Sequence, residues 1–97
     1  MSVYFIGRLT IHDPAWLGDY AQPTRVLVEK HGGKYLVAGG EMEQCEGDGP
    51  LPDSMVVLEF PTMEQAKAWH NDPEYAPLIA LRQSGSDLDF VLVDGAD

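Results

Sequence analysis

The chain has 97 residues, of which 44% are hydrophobic, and it carries 16 acidic against 6 basic residues, a formal net charge of −10. A chain of this length is expected to form one domain over residues 1–97. So acidic a surface repels phosphate backbones and anionic lipid, which argues against nucleic acid or a membrane as partner, and no apolar run approaches the ~20 residues that cross a bilayer.

The first predicted element is a strand from Val3 to His12, because apolar and polar residues alternate there. Asp13-Pro14 is typical of a helix start, since the carboxylate can cap free N–H groups and proline fits the first helical position. This helix is predicted to reach about His31, with a kink or a short break at Pro23, which removes one backbone hydrogen bond. Gly32 is expected to end it in the left-handed conformation.

Three further strands are predicted from the same alternation. The second runs from Lys34 to Glu43 and the third from Met55 to Phe60. Between them, residues 44–54 are dense in Gly, Pro and acidic residues and are expected to form a loop. The last strand is predicted from Leu88 to Val93.

Two more helices separate the third strand from the last. Thr62 and Gln65 have the spacing of a capping box and open a helix that is predicted to continue through Trp69. Asp72-Pro73 then begins a shorter helix that reaches about Arg82.

Each predicted strand has one wholly apolar face, which helices packed on one side of a four-stranded antiparallel sheet can cover. Right-handed crossovers then give an α+β, ferredoxin-like βαββαβ fold with two helices, plus the short third one, on one face. The opposite sheet face is also apolar, and no further element remains to cover it. A second copy is the expected cover, which predicts a C2 homodimer through this face. The residues predicted on it are Tyr4, Ile6, Tyr35, Val37, Met55, Val57, Val91 and Val93.

Three segments carry a resemblance to a known family: His31 to Val37 with Gly39-Gly40, Glu59-Phe60-Pro61, and Ala68 to Tyr75. In this order they resemble the domain-of-unknown-function family numbered 1330, within the dimeric α/β-barrel superfamily, and the resemblance covers nearly the whole chain. It implies a ferredoxin-like protomer that pairs through its sheet into a barrel-like dimer. Enzymes of the superfamily include cofactor-independent monooxygenases, small-lactone isomerases, dehydratases and haem-degrading proteins.

Arg8 and Glu59 are the first candidate catalytic residues, because both are predicted on the mixed face of the central strands. If the strand register brings them together, Arg8 could hold a carboxylate or enolate and Glu59 could act as a base. The alternative is an interfacial salt bridge that fixes the register of a dimer. His12, at the end of the first strand, is a second candidate base at a pocket mouth.

Aromatic residues are the candidate ligand contacts. Tyr20, Tyr35 and Trp69 could line a pocket, with His70 beside them, although such residues more often serve packing alone. The haem-degrading branch of the superfamily uses a tryptophan and a histidine from this region, with an asparagine on the first strand. Here that strand has no asparagine, and His70 directly follows Trp69, so the two point about 100° apart on a helix. Haem degradation is therefore disfavoured.

No metal site and no bound cofactor are expected. No two histidines have the i, i+4 spacing of a helical metal site, and the acidic loop lacks the ligand spacing of a calcium loop. The only cysteine, Cys45, has no thiol partner within the chain. Together with an N-terminus that lacks the pattern of a signal peptide, this predicts a cytoplasmic protein.

The sequence therefore favours a small homodimeric protein that binds or transforms a small, partly apolar organic acid or carbonyl compound. If it is an enzyme, isomerase-like proton transfer or monooxygenase-like oxygenation of an activated carbon acid is expected. The alternative is a non-catalytic ligand-binding or assembly module, in which the same residues only shape the dimer. Haem handling is a third, less favoured hypothesis.

Overall fold

The chain folds as one four-stranded sheet with helices on one side, and the computed structural model describes residues 2–96. The elements are β1 (Val3–Ile11), α1 (Leu17–Lys30), β2 (Lys34–Ala38), β3 (Ser54–Phe60), α2 (Met63–His70), α3 (Ala76–Gln83) and β4 (Ser86–Asp94). The strand order is β2-β3-β1-β4, and every neighbouring pair is antiparallel. The predicted ferredoxin-like arrangement, with its short third helix, is confirmed.

Alternation along β1 decides which side of the sheet is buried. Val3, Phe5 and Leu9 are buried on the helix side, whereas Ile6 and Arg8 between them are exposed. Residues on an extended strand point to opposite faces in turn, so one strand serves both a core and an open surface.

The core between sheet and helices is built largely from aromatic rings. Phe5 stacks on Phe90 with ring centroids 4.6 Å apart and meets Trp69 of α2 edge-on at 5.3 Å. Trp69 in turn packs against Tyr75 at 4.5 Å. Such aromatic pairs contribute about 0.5–1.5 kcal/mol each beyond the area they bury. They fix α2 and the turn that follows it against β1 and β4.

The segment before α1 begins differently from the prediction. A 3-10 turn over Pro14–Trp16 comes first, and the Asp13 carboxylate caps it by accepting a hydrogen bond from the Ala15 N–H at 3.0 Å. The α-helix itself begins only at Leu17. The proposed Asp13 cap is therefore present, but it serves the 3-10 turn.

Of the kink or short break predicted at Pro23, the break is absent, because α1 runs continuously from Leu17 to Lys30. Proline removes only one backbone hydrogen bond at this position. Buried Thr24, Leu27 and Val28 hold the following turns against the sheet. Tertiary packing of this kind supplies most of the stability of helices in proteins. Gly32 ends the segment with φ +83°, as predicted.

β2 ends at Ala38, well before the predicted Glu43. Gly39 and Gly40 have φ values of +86° and +98°, which turn the chain out of the extended conformation. The loop between β2 and β3 therefore spans residues 39–53.

The face predicted for Tyr35 is also wrong. The register between β2 and β3 shifts between Tyr35 and Val37, so Tyr35 pairs with buried Leu58 while Val37 pairs with Val57. A bulge of this kind interrupts the strict alternation of faces. Tyr35 consequently packs on the helix side, and Val37 remains on the open side.

The start of α2 follows the prediction. The Thr62 hydroxyl accepts a hydrogen bond from the Gln65 N–H at 3.1 Å and donates to the Gln65 side-chain oxygen at 3.0 Å. The Gln65 amide nitrogen also donates to the His31 carbonyl at 3.1 Å, which connects α2 to the end of α1. The next helix, α3, begins at Ala76, three residues after the predicted Pro73.

The second face of the sheet is open and apolar along its middle. Val37, Val57, Ile6 and Val91 lie side by side across all four strands. Val91 is 60% exposed. Among residues 2–96, no helix combines the length and the apolar character needed to cross a membrane.

A buried carboxylate joins the end of α1 to the turn between α2 and α3. Asp72 contacts His31 Nε2 at 2.7 Å and Lys30 Nζ at 3.3 Å, and it accepts a hydrogen bond from the Glu74 N–H at 2.9 Å. The His31 contact, followed by the Glu74 N–H, lowers the pKa of Asp72 to about 2. The ionised carboxylate therefore stabilises the folded state.

We expect Asp72→Asn to lower the melting temperature by several degrees at pH 7. The folded pKa of about 2 lies below the usual 3.8, so the stabilisation is complete above pH ~4 and is lost as the pH falls towards 2. The difference in melting temperature between the variant and the unmodified protein should therefore shrink as the pH falls from ~4 to 2. Circular dichroism melts from pH 7 to 2 would measure it.

Asp87→Asn is the matched control. Asp87 also lies 2.7 Å from a histidine, His12, but its side chain is 82% exposed, so the substitution should change the melting temperature little. An equal fall in melting temperature in the two variants would contradict this account. So would a fall in Asp72→Asn that does not depend on pH.

Candidate functional site

A cavity of about 390 Å³ lies between α1 and the sheet. Its floor is apolar and is formed by Leu9, Val56, Leu58, Leu88 and Phe90. Exposed residues of α1 and β2, among them Ala21, Arg25 and Ala38, border its opening, whereas buried Trp16, Trp69 and Arg82 form its inner part. The volume is within the range of about 300–1,000 Å³ that is typical of small-molecule sites.

Four polar side-chain atoms of the described residues are buried without a hydrogen-bond partner: Nε1 of Trp16, Nε1 of Trp69, Oγ1 of Thr24 and Nε of Arg82. All four residues line the cavity, and each is more than nine-tenths buried. Leaving one such group unsatisfied costs about 1–3 kcal/mol, and folded proteins contain few of them. The atoms themselves have almost no accessible surface, so their residues would have to shift slightly for a polar ligand group or an ordered water in the cavity to reach them.

The charge of the lining is opposite to that of the chain. Among residues 2–96, no Asp, Glu, His or Lys lines the cavity, whereas two arginines do, Arg25 and Arg82. The chain as a whole has a net charge of −10. Positive groups in a partly desolvated cleft concentrate the local field, so the cavity is suited to an anion.

Trp16 is held in place by a close approach between two turns. The N–H groups of His12 and Asp13 both donate to the Gly85 carbonyl, at 2.7 and 2.9 Å. A Cβ at position 85 would lie 2.6 Å from the Trp16 ring and 2.2 Å from the Asp13 carbonyl. Only glycine lets the turn before β4 lie this close to the 3-10 turn that carries Trp16.

Arg82 occupies the last turn of α3, where a cation is favoured by the helix dipole. Its guanidinium carbon lies 6.0 Å from the centroid of the Tyr20 ring. None of the ion pairs among residues 2–96 includes Arg82. Buried charges are normally paired, so an unpaired, buried guanidinium beside a cavity indicates an anionic ligand.

Tyrosine hydroxyls add neutral polar groups near the site. Tyr20 and Tyr75 are hydrogen-bonded through their hydroxyls. Burial raises the pKa of Tyr35 to about 12, and burial together with Tyr20 raises the pKa of Tyr75 as well. Tyr35 and Tyr75 therefore keep their protons at physiological pH.

The structure does not bring Arg8 and Glu59 together within the protomer. Arg8 lies opposite Met55 in the β1–β3 register, whereas Glu59 lies opposite Tyr4, four positions along the strand. That offset corresponds to about 13 Å. Both residues are on the open face of the sheet, away from the cavity.

The partners of these polar residues are also different from those expected. Glu59 contacts Lys34 Nζ at 3.2 Å and accepts a hydrogen bond from the Tyr4 hydroxyl at 3.1 Å, and Lys34 is the main cause of its lowered pKa. A lower pKa makes this carboxylate a weaker base. His12 lies 2.7 Å from Asp87 at the exposed end of β1.

Of the predicted ligand contacts, Tyr20, Tyr35 and Trp69 line the cavity and His70 does not. The His70 ring packs against Phe5 with centroids 5.7 Å apart, and burial, assisted by Arg82, lowers its pKa. Among residues 2–96, no group of three or more His, Cys, Asp or Glu is placed to hold a metal ion.

Sequence reasoning missed Trp16, Thr24, Arg25 and Arg82. One signal was present: Arg82 is the only charged residue of α3, whose sequence is APLIALRQ. A lone cation at the end of an apolar helix can be a solvated cap or a buried functional group. Only the packing of α3 against β4 distinguishes these cases.

With this geometry in place, the chain can be compared with known proteins. It matches the family described as Domain of unknown function (DUF1330) over residues 2–96, and it belongs to that family. No curated protein sequence matches it.

Similar solved structures share the fold at low sequence identity. A protein of unknown function from Rhodopseudomonas palustris has a TM-score of 0.79 at 16% identity, covering 99% of this chain and 83% of that one. SnoaB, a cofactor-independent oxygenase from Streptomyces nogalater, has a TM-score of 0.67 at 16% identity, with coverages of 99% and 94%. A dimeric ferredoxin-like protein of unknown function from Thermobifida fusca has a TM-score of 0.56 at 12% identity, with coverages of 98% and 92%.

We expect Arg82→Met to stabilise the ligand-free protein by about 1 kcal/mol in the free energy of unfolding. The substitution removes a buried charge that has no carboxylate partner and keeps a side chain of similar length. Urea denaturation would measure the change. Lys67→Met, at an exposed position of α2, makes the same change in net charge and should be close to neutral. A clear destabilisation by Arg82→Met alone would show that the guanidinium holds the fold together.

Proposed function

We propose that the protein binds a small, partly apolar organic anion in the cavity between α1 and the sheet. The observation that carries this proposal is the coincidence of four unpartnered buried polar atoms with the lining of one cavity. A ligand whose binding shifts the lining slightly would satisfy several of these atoms at once.

The chemistry of these atoms defines what the ligand must offer. Indole Nε1 and guanidinium Nε are hydrogen-bond donors only, and a threonine hydroxyl can donate as well as accept. The ligand must therefore present acceptor oxygens, and the unpaired charge of Arg82 favours a carboxylate or an enolate over a neutral carbonyl. The apolar floor and the two tryptophans suit a ring or a short hydrocarbon body.

If the site is catalytic, we propose proton transfer or oxygenation of an activated carbon acid. In the oxygenation, a CH₂ group next to the anionic centre and one O₂ give a C=O group and one H₂O. Arg82 would stabilise the enolate from which either reaction proceeds. The structural similarity to SnoaB, described as a cofactor-independent oxygenase, supports this choice among reactions.

The described residues that line the cavity include no carboxylate or imidazole to act as a base. A ligand made more acidic by Arg82 must then lose its proton to solvent water to give the carbanion. This lack also favours a second candidate function, in which the protein binds its ligand without turnover. Oxygen uptake in the presence of an air-stable, enolisable naphthol would support the oxygenase, and binding of the same compound without uptake would favour the second candidate.

We further propose that two copies pair through the open sheet face. The apolar row of Val37, Val57, Ile6 and Val91 would be covered, and Arg8 and Glu59 would help to set the register of the pair. The structurally similar Thermobifida fusca protein is described as dimeric, which supports this proposal. The single exposed Cys45 suits a reducing compartment such as the cytoplasm.

Measuring the binding of naphthoate by titration calorimetry tests the ligand site. Naphthoate should bind more tightly than uncharged naphthalenemethanol, because only the acid offers a negative oxygen to Arg82. Arg82→Met should weaken naphthoate binding about tenfold or more, the equivalent of ~1.4 kcal/mol, and leave the alcohol unaffected. Lys67→Met controls for the change in net charge. Equal binding of acid and alcohol to the unmodified protein would refute the proposed site.

Native mass spectrometry tests the pairing. The unmodified protein should be a dimer, and Val91→Lys should convert it to a monomer, because a lysine would be forced against an apolar interface. Val26→Lys is the control: Val26 is 53% exposed on α1, on the other side of the sheet. The proposed interface would be wrong if both variants remained dimeric.

A further inference from the structure

We infer that Arg25 forms a second anion-binding position at the mouth of the cavity, so that the preferred ligand is an organic molecule with acidic groups at both ends of an apolar body. This inference rests on the proposed function, since it takes Arg82 as the inner position. It adds the ligand class and a residue that sets specificity.

Most of the arginines of this chain lie at one cavity. The chain contains only three, and two of them, Arg25 and Arg82, line the same cavity. The third, Arg8, is on the opposite face of the sheet, where it donates to the Pro50 carbonyl at 3.4 Å. An acidic chain thus places most of its guanidinium charge around one cavity.

These two arginines form no ion pair with a carboxylate of the described residues. Between residues 2 and 96, the ion pairs use Lys30, Lys34, His12 and His31, and none uses an arginine. Carboxylates are plentiful, with 16 in the chain. Arginine presents a planar, bidentate fork that matches a carboxylate better than lysine does. Two unpaired forks at one cavity are suited to two carboxylates.

The two arginine charges lie at different depths in the cavity. Arg82 is buried in the last turn of α3, whereas Arg25 is exposed on α1. The Arg25 guanidinium carbon lies 4.8 Å above the centroid of the Tyr35 ring, which itself lines the cavity and is half-buried. This cation–π contact orients Arg25 at the opening between α1 and β2. A ligand with an acidic group at each end could engage both arginines at once.

A pair of matched ligands tests this inference by titration calorimetry. Naphthoate is compared with a naphthalenedicarboxylate whose acid groups are at opposite ends of the ring system. The diacid should bind the unmodified protein about tenfold more tightly than the monoacid, despite its additional repulsion from the acidic surface. Arg25→Gln should weaken diacid binding about tenfold, to the level of the monoacid, and should weaken monoacid binding much less.

Two control variants separate the inference from the proposed function. Lys67→Gln removes the same charge from the exposed surface of α2 and should leave the preference for the diacid intact. Arg82→Met should weaken both ligands. If Arg25→Gln affects both ligands equally or neither, the second position is refuted while the cavity site stands. If Arg82→Met affects neither, or if neither acid binds the unmodified protein, the proposed function falls and the second position falls with it.

Discussion

The alternation of buried and exposed residues along β1 is the constraint on which the rest of the molecule depends. This strand pairs with β3 on one side and β4 on the other, so its faces define the two surfaces of the sheet. The face that carries Phe5 and Leu9 is covered by helices, and the face that carries Ile6 and Arg8 is open. Because a slip of one residue would exchange these faces, the register of β1 fixes both the cavity and the apolar surface proposed for pairing.

The helix side of the sheet is packed unevenly, and the difference explains where a ligand can bind. Beneath α2, the Trp69 ring contacts both Phe5 and Tyr75, and the three rings fill the layer. Beneath α1, the smaller Val56 and Leu88 leave the 390 Å³ cavity. The unpartnered polar atoms are found around that gap. A protein selected for stability alone would fill such a gap with apolar side chains, so the exception is typical of a functional site.

Local patterns predicted the fold well, since each depends on near neighbours in the chain. The alternation of β1, the Thr62–Gln65 cap and the left-handed Gly32 are all of this kind. The site depended on details that a pattern does not contain. A single bulge moved Tyr35 to the helix side, and the β1–β3 register placed Arg8 and Glu59 four positions apart although both share the predicted face. Arg82 was missed because a charged residue is normally predicted to be exposed to solvent. Its burial depends on how α3 packs.

With this cavity lining, the chemistry of the ligand determines whether it is only bound or also converted. Arginine stabilises an anion that already exists or one that forms beside it, but it does not remove a proton. A carboxylate arrives ionised and would remain bound unchanged. A carbon acid that loses its proton to solvent water when its oxygen meets Arg82 becomes an enolate. In that form it can be reprotonated at another carbon or react with O₂. One set of donors therefore suits both candidate functions, and the acidity of the ligand beside Arg82 determines which of them is realised.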